Sequence, residues 1–192
     1  LDIPLSVEQA IKAINQMKTK RIDCIKLNNT VYASIAGIGF DALIAREFAK
    51  TKTRGFQPYL KLVLQNYPQY KPQNYTLIID DIEINTQALF VSFSNSNQFG
   101  FDVEIANNAS LCDGLIDVVI VQKPPLPLLF WTAQLLFWRK FDNSIYVNAY
   151  QAKKVTVKSN NPTGVNLDGE YAEFDTDLTF EIMPDSLNVI IP

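Results

Sequence analysis

The stretch "YTLIIDDIEINTQALFVSFS", residues 75–94, is rich in β-branched and aromatic residues and is interrupted by acidic and amide residues that favour turns. It contains three strand candidates, "YTLIID", "IEI" and "QALFVSFS". Five similar runs follow, namely "LIDVVIV", "SIYVNAY", "KVTVKS", "LTFEIM" and "LNVII", and "IDCIKL" and "TVYASIA" predict an earlier hairpin. Because these runs stand at hairpin spacing, they predict a mainly β (α+β) fold, an antiparallel β-sandwich or jelly-roll-like body.

About four helices are predicted around these strands. Residues 6–9 have the form of a capping box, which predicts a first helix that ends near residue 18. A second helix is predicted to begin near residue 40, a third to cover about residues 56–67, and a fourth to cover residues 127–138. The fourth helix interrupts the succession of strands.

The composition restricts the chemistry that this protein can perform. A chain of 192 residues with 47% hydrophobic content can build one sizeable core. Its net charge of -3 indicates no nucleic-acid partner. The absence of histidine excludes Ser-His-Asp triads and histidine zinc sites, so a general base must be a carboxylate, lysine, tyrosine or thiolate. Cys24 and Cys112 are expected to be free thiols in a reducing compartment.

The first stretch with candidate binding or catalytic residues is "AGIGFDA", residues 36–42. Gly37, Gly39 and Ala42 fit the G-x-G-x-x-G/A pattern of dinucleotide-binding loops. No second parallel strand ending in an acid follows, so a sharp strand-to-helix turn is the simpler interpretation. In that turn, Asp41 stands near the helix start, where its charge suits the helix dipole.

The second stretch is "ASLCDGLIDVVIV", residues 109–121. Asp113-Gly114 predicts a turn that leads into a buried strand. A carboxylate with main-chain carbonyls nearby also offers the all-oxygen ligands that Mg²⁺ or Ca²⁺ prefers. A single carboxylate makes a weak metal motif, so the spacing by itself leaves both interpretations open.

The third stretch is "GVNLDGEYAEF", residues 164–174. Asp168-Gly169 between alternating residues predicts a tight hairpin turn. Catalytic residues often lie on loops that a rigid sheet holds, so Glu170 is also a candidate general base.

Two further features have both a structural and a functional interpretation. Four cations, Arg46, Lys50, Lys52 and Arg54, suit a solvated helix end or a phosphate-binding segment. The apolar run "LPLLFWTAQLLFW", residues 126–138, predicts a helix that packs in the core or contacts acyl chains or a membrane surface.

In their order these stretches resemble one family. "GIGFDA", the basic segment that ends in "RGFQPYL", "VSFSNSNQFGFDVEIANNASLCDGLIDVVIV" and "NLDGE" look like the C-terminal half of the bacterial diacylglycerol kinase and sphingosine kinase superfamily of lipid kinases. The resemblance covers nearly the whole chain and is most specific over residues 95–121. Asn107 stands where the family usually has proline, and residues 98–100 are less glycine-rich than expected.

The resemblance implies the second domain of a two-domain lipid kinase. In that family an N-terminal α/β domain carries a "GGDGT" loop that binds ATP phosphates, and this sequence contains no such loop. We expect residues 1–20 to be a helical segment from the end of a missing N-terminal nucleotide-binding domain. Residues 21–192 are expected to be the β-rich C-terminal lipid kinase domain, inactive without its partner domain.

The resemblance also implies roles for individual side chains. Glu170 matches the proton acceptor that deprotonates the lipid hydroxyl, and Asp168 would help to hold that loop or face the nucleotide. Asp41 falls where sphingosine kinases use an acid to hold the lipid head group. Arg54 falls where they place an arginine near the ATP phosphates.

A magnesium site is implied in the same way. Asp113 matches the side-chain ligand of a structural Mg²⁺, and Ser110 and Leu115 fall where main-chain carbonyls complete that site. The cofactors implied are therefore Mg²⁺ and, as co-substrate, ATP.

The resulting hypothesis is an ATP-dependent lipid kinase that transfers the γ-phosphate of ATP to the hydroxyl of diacylglycerol or a related lipid. We expect such an enzyme in the cytoplasm, with transient contact to a membrane surface, and whether it forms a homodimer stays open. The alternative is a non-catalytic β-rich lipid-binding or interaction module.

Overall fold

Two antiparallel β-sheets pack face to face around a shared hydrophobic core. The computed structural model describes residues 3–4, 6–52, 54–100, 103–137, 144–159 and 161–192. Within these ranges the helices are α1 Val7–Gln16, α2 Phe40–Ala49, α3 Phe56–Asn66 and α4 Leu126–Phe137. The strands are β1 Thr19–Leu27, β2 Thr30–Tyr32, β3 Ile35–Gly39, β4 Gln73–Ile79, β5 Ile82–Ala88, β6 Phe90–Ser94, β7 Gln98–Gly100, β8 Val103–Glu104, β9 Ile116–Val121, β10 Val147–Ala152, β11 Lys154–Lys158, β12 Thr163–Leu167, β13 Glu170–Phe174 and β14 Leu178–Ile190.

The strand order defines both sheets over the described residues. The first sheet runs β2-β1-β14-β11-β4-β5, the second runs β10-β9-β6-β3-β12-β13, and β7 pairs with β8 in a separate ribbon. The predicted mainly β sandwich with about four helices is therefore confirmed. The dinucleotide-binding interpretation of residues 36–42 is wrong, because β3 pairs antiparallel with both β6 and β12.

The core lies between the two sheets and follows the two-residue periodicity of the strands. Phe93 of β6 and Phe180 of β14 are fully buried and stack across the sandwich, with ring centroids 3.8 Å apart. Other fully buried side chains of this core are Ile25, Leu27, Ile38, Leu77, Val91, Ile116, Val155, Val165 and Leu178. A separate cluster beneath α2 and α3 includes Phe40, Ile44 and Tyr67.

Three strand predictions were wrong because tertiary contacts changed the boundaries. The run "QALFVSFS" is divided between β5 of the first sheet and β6 of the second. The run "TVYASIA" is divided between β2 of the first sheet and β3 of the second, and residues 33–34 cross between the sheets. The runs "LTFEIM" and "LNVII" form the single strand β14. The β1–β14 register shifts between Ile22 and Cys24, where residues 184–186 of β14 lie opposite Asp23 alone. Pro184 stays within the strand because this bulge in β14 requires no ladder N–H at its position.

The predicted helices are present, with differences in detail. Ser6 is the N-cap of α1, but its side chain makes no capping hydrogen bond, so the predicted capping box is wrong. In α4, Leu129 and Leu135 pack against buried clusters, whereas Leu126 and Trp131 are exposed. The predicted end of this helix at Trp138 lies outside the described residues. The ranges described contain no helix with the length and apolar character needed to cross a membrane.

Candidate active site

Asp41 lies at the junction between β3 and α2, where two glycines serve different purposes. Gly39 has a φ of 84°, which lets the chain turn directly from the strand into the helix. Gly37 leaves room for a side chain, because a Cβ at this position would lie 1.9 Å from Asp41 Oδ2. The Asp41 carboxyl group is therefore folded back over the backbone of β3.

Burial makes Asp41 an unusual carboxyl group. Only 5% of the residue is exposed, and the resulting loss of hydration raises the pKa of Asp41 to about 7. A hydrogen bond from the Asn166 side chain opposes this rise in pKa, because it stabilises the ionised form. Asp41 therefore changes its charge near neutral pH.

Asn166 connects Asp41 with the hairpin turn that follows β12. Its Nδ2 donates to Asp41 Oδ2 at 2.9 Å, and its Oδ1 accepts the backbone N–H of Gly169 at 3.0 Å. Asn166 is 8% exposed and lies opposite Gly37 in the β3–β12 pairing. Both polar ends of its amide are thus used inside the protein.

The predicted turn at Asp168-Gly169 is confirmed. Asp168 has a φ of 47° and Gly169 a φ of 96°, as a two-residue type I′ turn requires, and Leu167 pairs with Glu170 across it. Glu170 is the first residue of β13, an edge strand of the second sheet in the described structure, and its side chain is exposed. The turn therefore presents a carboxylate at the rim of the sandwich.

Asp168 fixes this turn to the segment that crosses between the sheets. Its Oδ2 accepts the N–H of Ala33 at 2.9 Å, and its Oδ1 accepts the N–H groups of Ser34 and Ile35 at 3.0 and 2.8 Å. The Asp168 N–H donates to the carbonyl oxygen of Ile35 at 2.9 Å. These bonds replace the strand pairing that residues 33–34 lack.

Two further buried polar residues extend the contacts towards Asp113. Asn95 is fully buried, and its Nδ2 donates to the carbonyl oxygens of Asp23 and Ala33, both at 2.8 Å. Asp23 is 2% exposed, and its carboxylate accepts the N–H groups of Gly114 and Asp185, both at 2.8 Å. Asp23 therefore holds the loop that contains Asp113.

The loop of residues 110–115 has a donor set that fits a hard cation. Asp113 is exposed, and its Oδ1 accepts the N–H of Leu115 at 3.1 Å. Among the described residues, no loop or turn hydrogen bond between backbone groups uses the carbonyl oxygen of Ser110 or Leu115. The described side chains form no cluster of three or more metal-binding groups, so a cation here would depend on one carboxylate, main-chain oxygens and water.

The segments that contain Asp41, Asp168, Glu170 and Asp113 are thus connected by hydrogen bonds that involve Asn166, Asp168, Asn95 and Asp23, whereas Arg54 lies at a distance from Asp41. Arg54 donates to the carbonyl oxygen of Thr51 at 2.8 Å, and its guanidinium lies 5.4 Å from the centre of the Phe48 ring. Asp41 lies in the first turn of α2 and Phe48 near its end, a separation of about 10 Å along the helix at about 1.5 Å per residue. Arg54 therefore lies at the opposite end of α2 from Asp41.

Sequence reasoning missed Asn166, Asn95 and Asp23. Asp23 carries a recognisable signal, since it is an acid inside the apolar run "IDCIKL". Asn166 and Asn95 stand inside stretches that the resemblance already included, but their spacing did not distinguish them from turn residues.

Comparisons with known proteins agree with the fold. A family model described as "YegS C-terminal NAD kinase beta sandwich-like domain" matches residues 34–191. The chain is 25% identical over 174 residues to a protein named "Diacylglycerol kinase" from Staphylococcus saprophyticus, which covers 89% of this chain and 57% of that protein. It is 24% identical over 192 residues to a "Probable lipid kinase YegS-like" from Pseudomonas syringae, which covers 99% of this chain and 62% of that protein.

A solved structure shows the same fold at lower identity. It is described as a "putative diacylglycerol kinase" from Bacillus anthracis, with a TM-score of 0.76 and 19% identity, over 100% of this chain and 63% of that chain. The chain spans 57% and 62% of the length of the two curated relatives above.

Proposed function

The chain belongs to the family of the YegS C-terminal NAD kinase beta sandwich-like domain, and from this we propose that it is the C-terminal part of an ATP-dependent lipid kinase. The substrate in this proposal is diacylglycerol or a related lipid alcohol, because matched relatives are named lipid and diacylglycerol kinases. The observation that carries the proposal is the exposed Glu170 on a rigid turn that is bonded through Asn166 to the buried Asp41.

Glu170 is proposed as the general base. Its carboxylate takes the proton of the lipid hydroxyl while that oxygen forms a bond to the γ-phosphorus of ATP and the bond from that phosphorus to the β–γ bridging oxygen breaks. The products are the phosphorylated lipid, ADP and a proton held by Glu170. The short turn and the three N–H groups bonded to Asp168 support this role, because they restrict where Glu170 can lie.

Asp41 is proposed to bind the polar head of the lipid. A carboxyl group whose pKa lies at about 7 is partly protonated at neutral pH, so it can either accept a hydrogen bond from a hydroxyl or donate one to an ester oxygen. Its burial beside Gly37 supports the role, because hydrogen bonds are stronger where water is excluded.

Mg²⁺ is proposed to bind at Asp113, with the main-chain carbonyls of Ser110 and Leu115. When bound, it would supply a fixed positive charge to this loop. Asp23 supports the arrangement, because its carboxylate accepts the N–H of Gly114 and so already holds the backbone next to Asp113, while its other oxygen accepts the N–H of Asp185 in β14.

ATP binding is proposed to depend mainly on an N-terminal nucleotide-binding domain. The chain spans less than two thirds of its curated relatives and contains no "GGDGT" loop, which supports this division. Arg54 is a proposed contact for the phosphates, which would then extend past the far end of α2.

The enzyme is proposed to work in the cytoplasm at a membrane surface, where its lipid substrate lies. The free thiols of Cys24 and Cys112 suit a reducing compartment, and Leu126 and Trp131 of α4 offer apolar side chains for contact with lipid.

Replacement of the base tests the proposal. In the whole enzyme, Glu170→Gln should reduce phosphatidic acid formation from ATP and diacylglycerol by about 10²- to 10⁴-fold without a change in the circular dichroism spectrum. Glu173→Gln, an exposed acid on the same strand, is the matched control and should keep its activity. Near-normal turnover by Glu170→Gln would remove Glu170 from its role.

The separate chain gives a second test. We expect it to form no phosphatidic acid from ATP, Mg²⁺ and diacylglycerol, and clear turnover would show that it needs no second domain. A whole protein that binds diacylglycerol vesicles but transfers no phosphate would support the alternative, a non-catalytic lipid-binding module.

A further inference from the structure

The Asn166 side chain bridges two groups that the proposed function assigns to different tasks. One end of its amide holds the carboxyl group of Asp41, and the other end holds the backbone of the turn that carries Glu170. The two contacts are 2.9 and 3.0 Å long, and the residue is 8% exposed, so water has little access to compete for them. Asn166 therefore links the two groups directly, through one hydrogen bond at each end of its amide.

The two contacts require different chemistry at the two ends of this side chain. An ionised Asp41 needs a donor, whereas the Gly169 N–H needs an acceptor. Asparagine supplies both at a fixed spacing on a planar group. An aspartate could still accept from Gly169 but would offer no donor to Asp41, and an apolar residue would satisfy neither partner.

We propose that Asn166 is a positioning residue that sets the distance between the lipid-binding carboxyl group of Asp41 and the general base Glu170. This inference rests on the proposed function. A lipid head held at Asp41 presents its hydroxyl at a defined place, and Asn166 fixes the turn so that the Glu170 carboxylate lies within reach of that hydroxyl. A displacement of about 1 Å between such groups can reduce a rate by about 100-fold.

Loss of the Asn166 donor should change the pKa of Asp41, and other titratable groups lie around Asp41. Burial raises the pKa of Asp41 to about 7, and the hydrogen bond from Asn166 opposes this rise, so removal of the amide should raise that pKa further. From α3, Tyr59 faces the same carboxyl group, since burial and then the Asp41 charge raise the Tyr59 pKa. Arg46 of α2 lies 6.0 Å from the ring centre of Tyr171, whose hydroxyl donates to Glu173 at 2.8 Å.

An exchange of donor and acceptor separates positioning from a purely structural role. In the whole enzyme, Asn166→Asp leaves an acceptor for Gly169 but faces Asp41 with a second carboxyl group. We expect kcat to fall by about 10- to 100-fold and the pH profile to move to higher pH. The double variant Asp41→Asn/Asn166→Asp restores a donor and an acceptor at this contact, so its kcat should exceed that of Asn166→Asp by several-fold, although the loss of the Asp41 carboxyl group keeps it below that of the parent. Its KM for lipid should stay as high as that of Asp41→Asn.

Assays are made well below the unfolding temperature, where all variants are folded. A normal kcat for Asn166→Asp, or no recovery in the double variant, would overturn the proposal.

A measurement that does not depend on kinase activity tests this inference separately from the proposed function. In the 192-residue chain, nuclear magnetic resonance should show a Gly169 amide protected from hydrogen exchange in the parent and in Asn166→Asp. Asn166→Leu should lose that protection, because it offers no acceptor. Unchanged protection in Asn166→Leu would overturn the link at Gly169, even if the whole enzyme proves to be a lipid kinase. A whole enzyme without kinase activity would refute the proposed function, and the exchange data would still decide this link.

Discussion

Replacement of Asp41 by asparagine should make the protein more stable at alkaline pH. The folded-state pKa of Asp41 is about 7, because burial disfavours its charged form, and the ordinary value is 3.8. Between these two values the folded protein holds a proton that the unfolded chain releases. The bound proton on Asp41 therefore contributes to the free energy of unfolding. This contribution is fully present below about pH 3.8 and is lost as the pH rises through about 7.

The size of the effect follows from the difference between the two pKa values. Each pH unit corresponds to about 1.4 kcal/mol, so the free energy of unfolding should fall by up to roughly 4 kcal/mol between pH 4 and pH 8. Asp41→Asn removes this loss, since it carries no charge and keeps an oxygen that can accept the Asn166 amide. Its advantage over the parent should be near zero at pH 4 and largest above pH 7. For a chain of this length that advantage corresponds to about 10 °C in Tm.

Urea unfolding followed by circular dichroism at intervals from pH 4 to pH 8.5 measures this difference. Asp175→Asn, which changes an exposed acid between β13 and β14, is the control and should leave the pH dependence as it is in the parent. A difference between Asp41→Asn and the parent that stays constant with pH would refute the reasoning. Asp41 would then have an ordinary pKa in the folded protein.

Substitutions at three further positions test the geometry around this site. Gly37→Ala should lower the free energy of unfolding by about 1–3 kcal/mol in urea titrations, because its Cβ would overlap the Asp41 carboxyl group; an unchanged midpoint would contradict that contact. Asp168→Ala should cost about 2–4 kcal/mol in the same assay, since three N–H groups lose their acceptor, and Asp168→Asn, which keeps one acceptor, should cost less. Mg²⁺ should raise the Tm of the parent and EDTA should reverse the rise, whereas Asp113→Ala should show neither effect; a parent Tm that ignores Mg²⁺ and EDTA would count against the site.

Local patterns were sufficient for much of the fold. The Asp168-Gly169 turn was predictable because a two-residue hairpin needs positive φ angles that few residues tolerate. Most strands and all four described helices followed from periodicity and turn residues, although several strand boundaries did not. The division of "TVYASIA" was not predictable, because the N–H groups of residues 33–34 are satisfied by Asp168, far away in the chain. The continuity of β14 was likewise not predictable, because it depends on a bulge in β14 that forms only when the strand pairs with β1.

The sequence by itself determined the β-rich class, the turn that carries Glu170 and, through a family resemblance, the candidates Asp41, Asp168 and Asp113. Only the tertiary structure decided how these residues relate to one another. Asn166 and Asp41 are 125 positions apart, and their hydrogen bond exists because β12 pairs with β3 and Gly37 leaves space for the carboxyl group. The raised pKa of Asp41 has the same origin, since burial is a property of the packed fold and cannot be read from neighbouring residues.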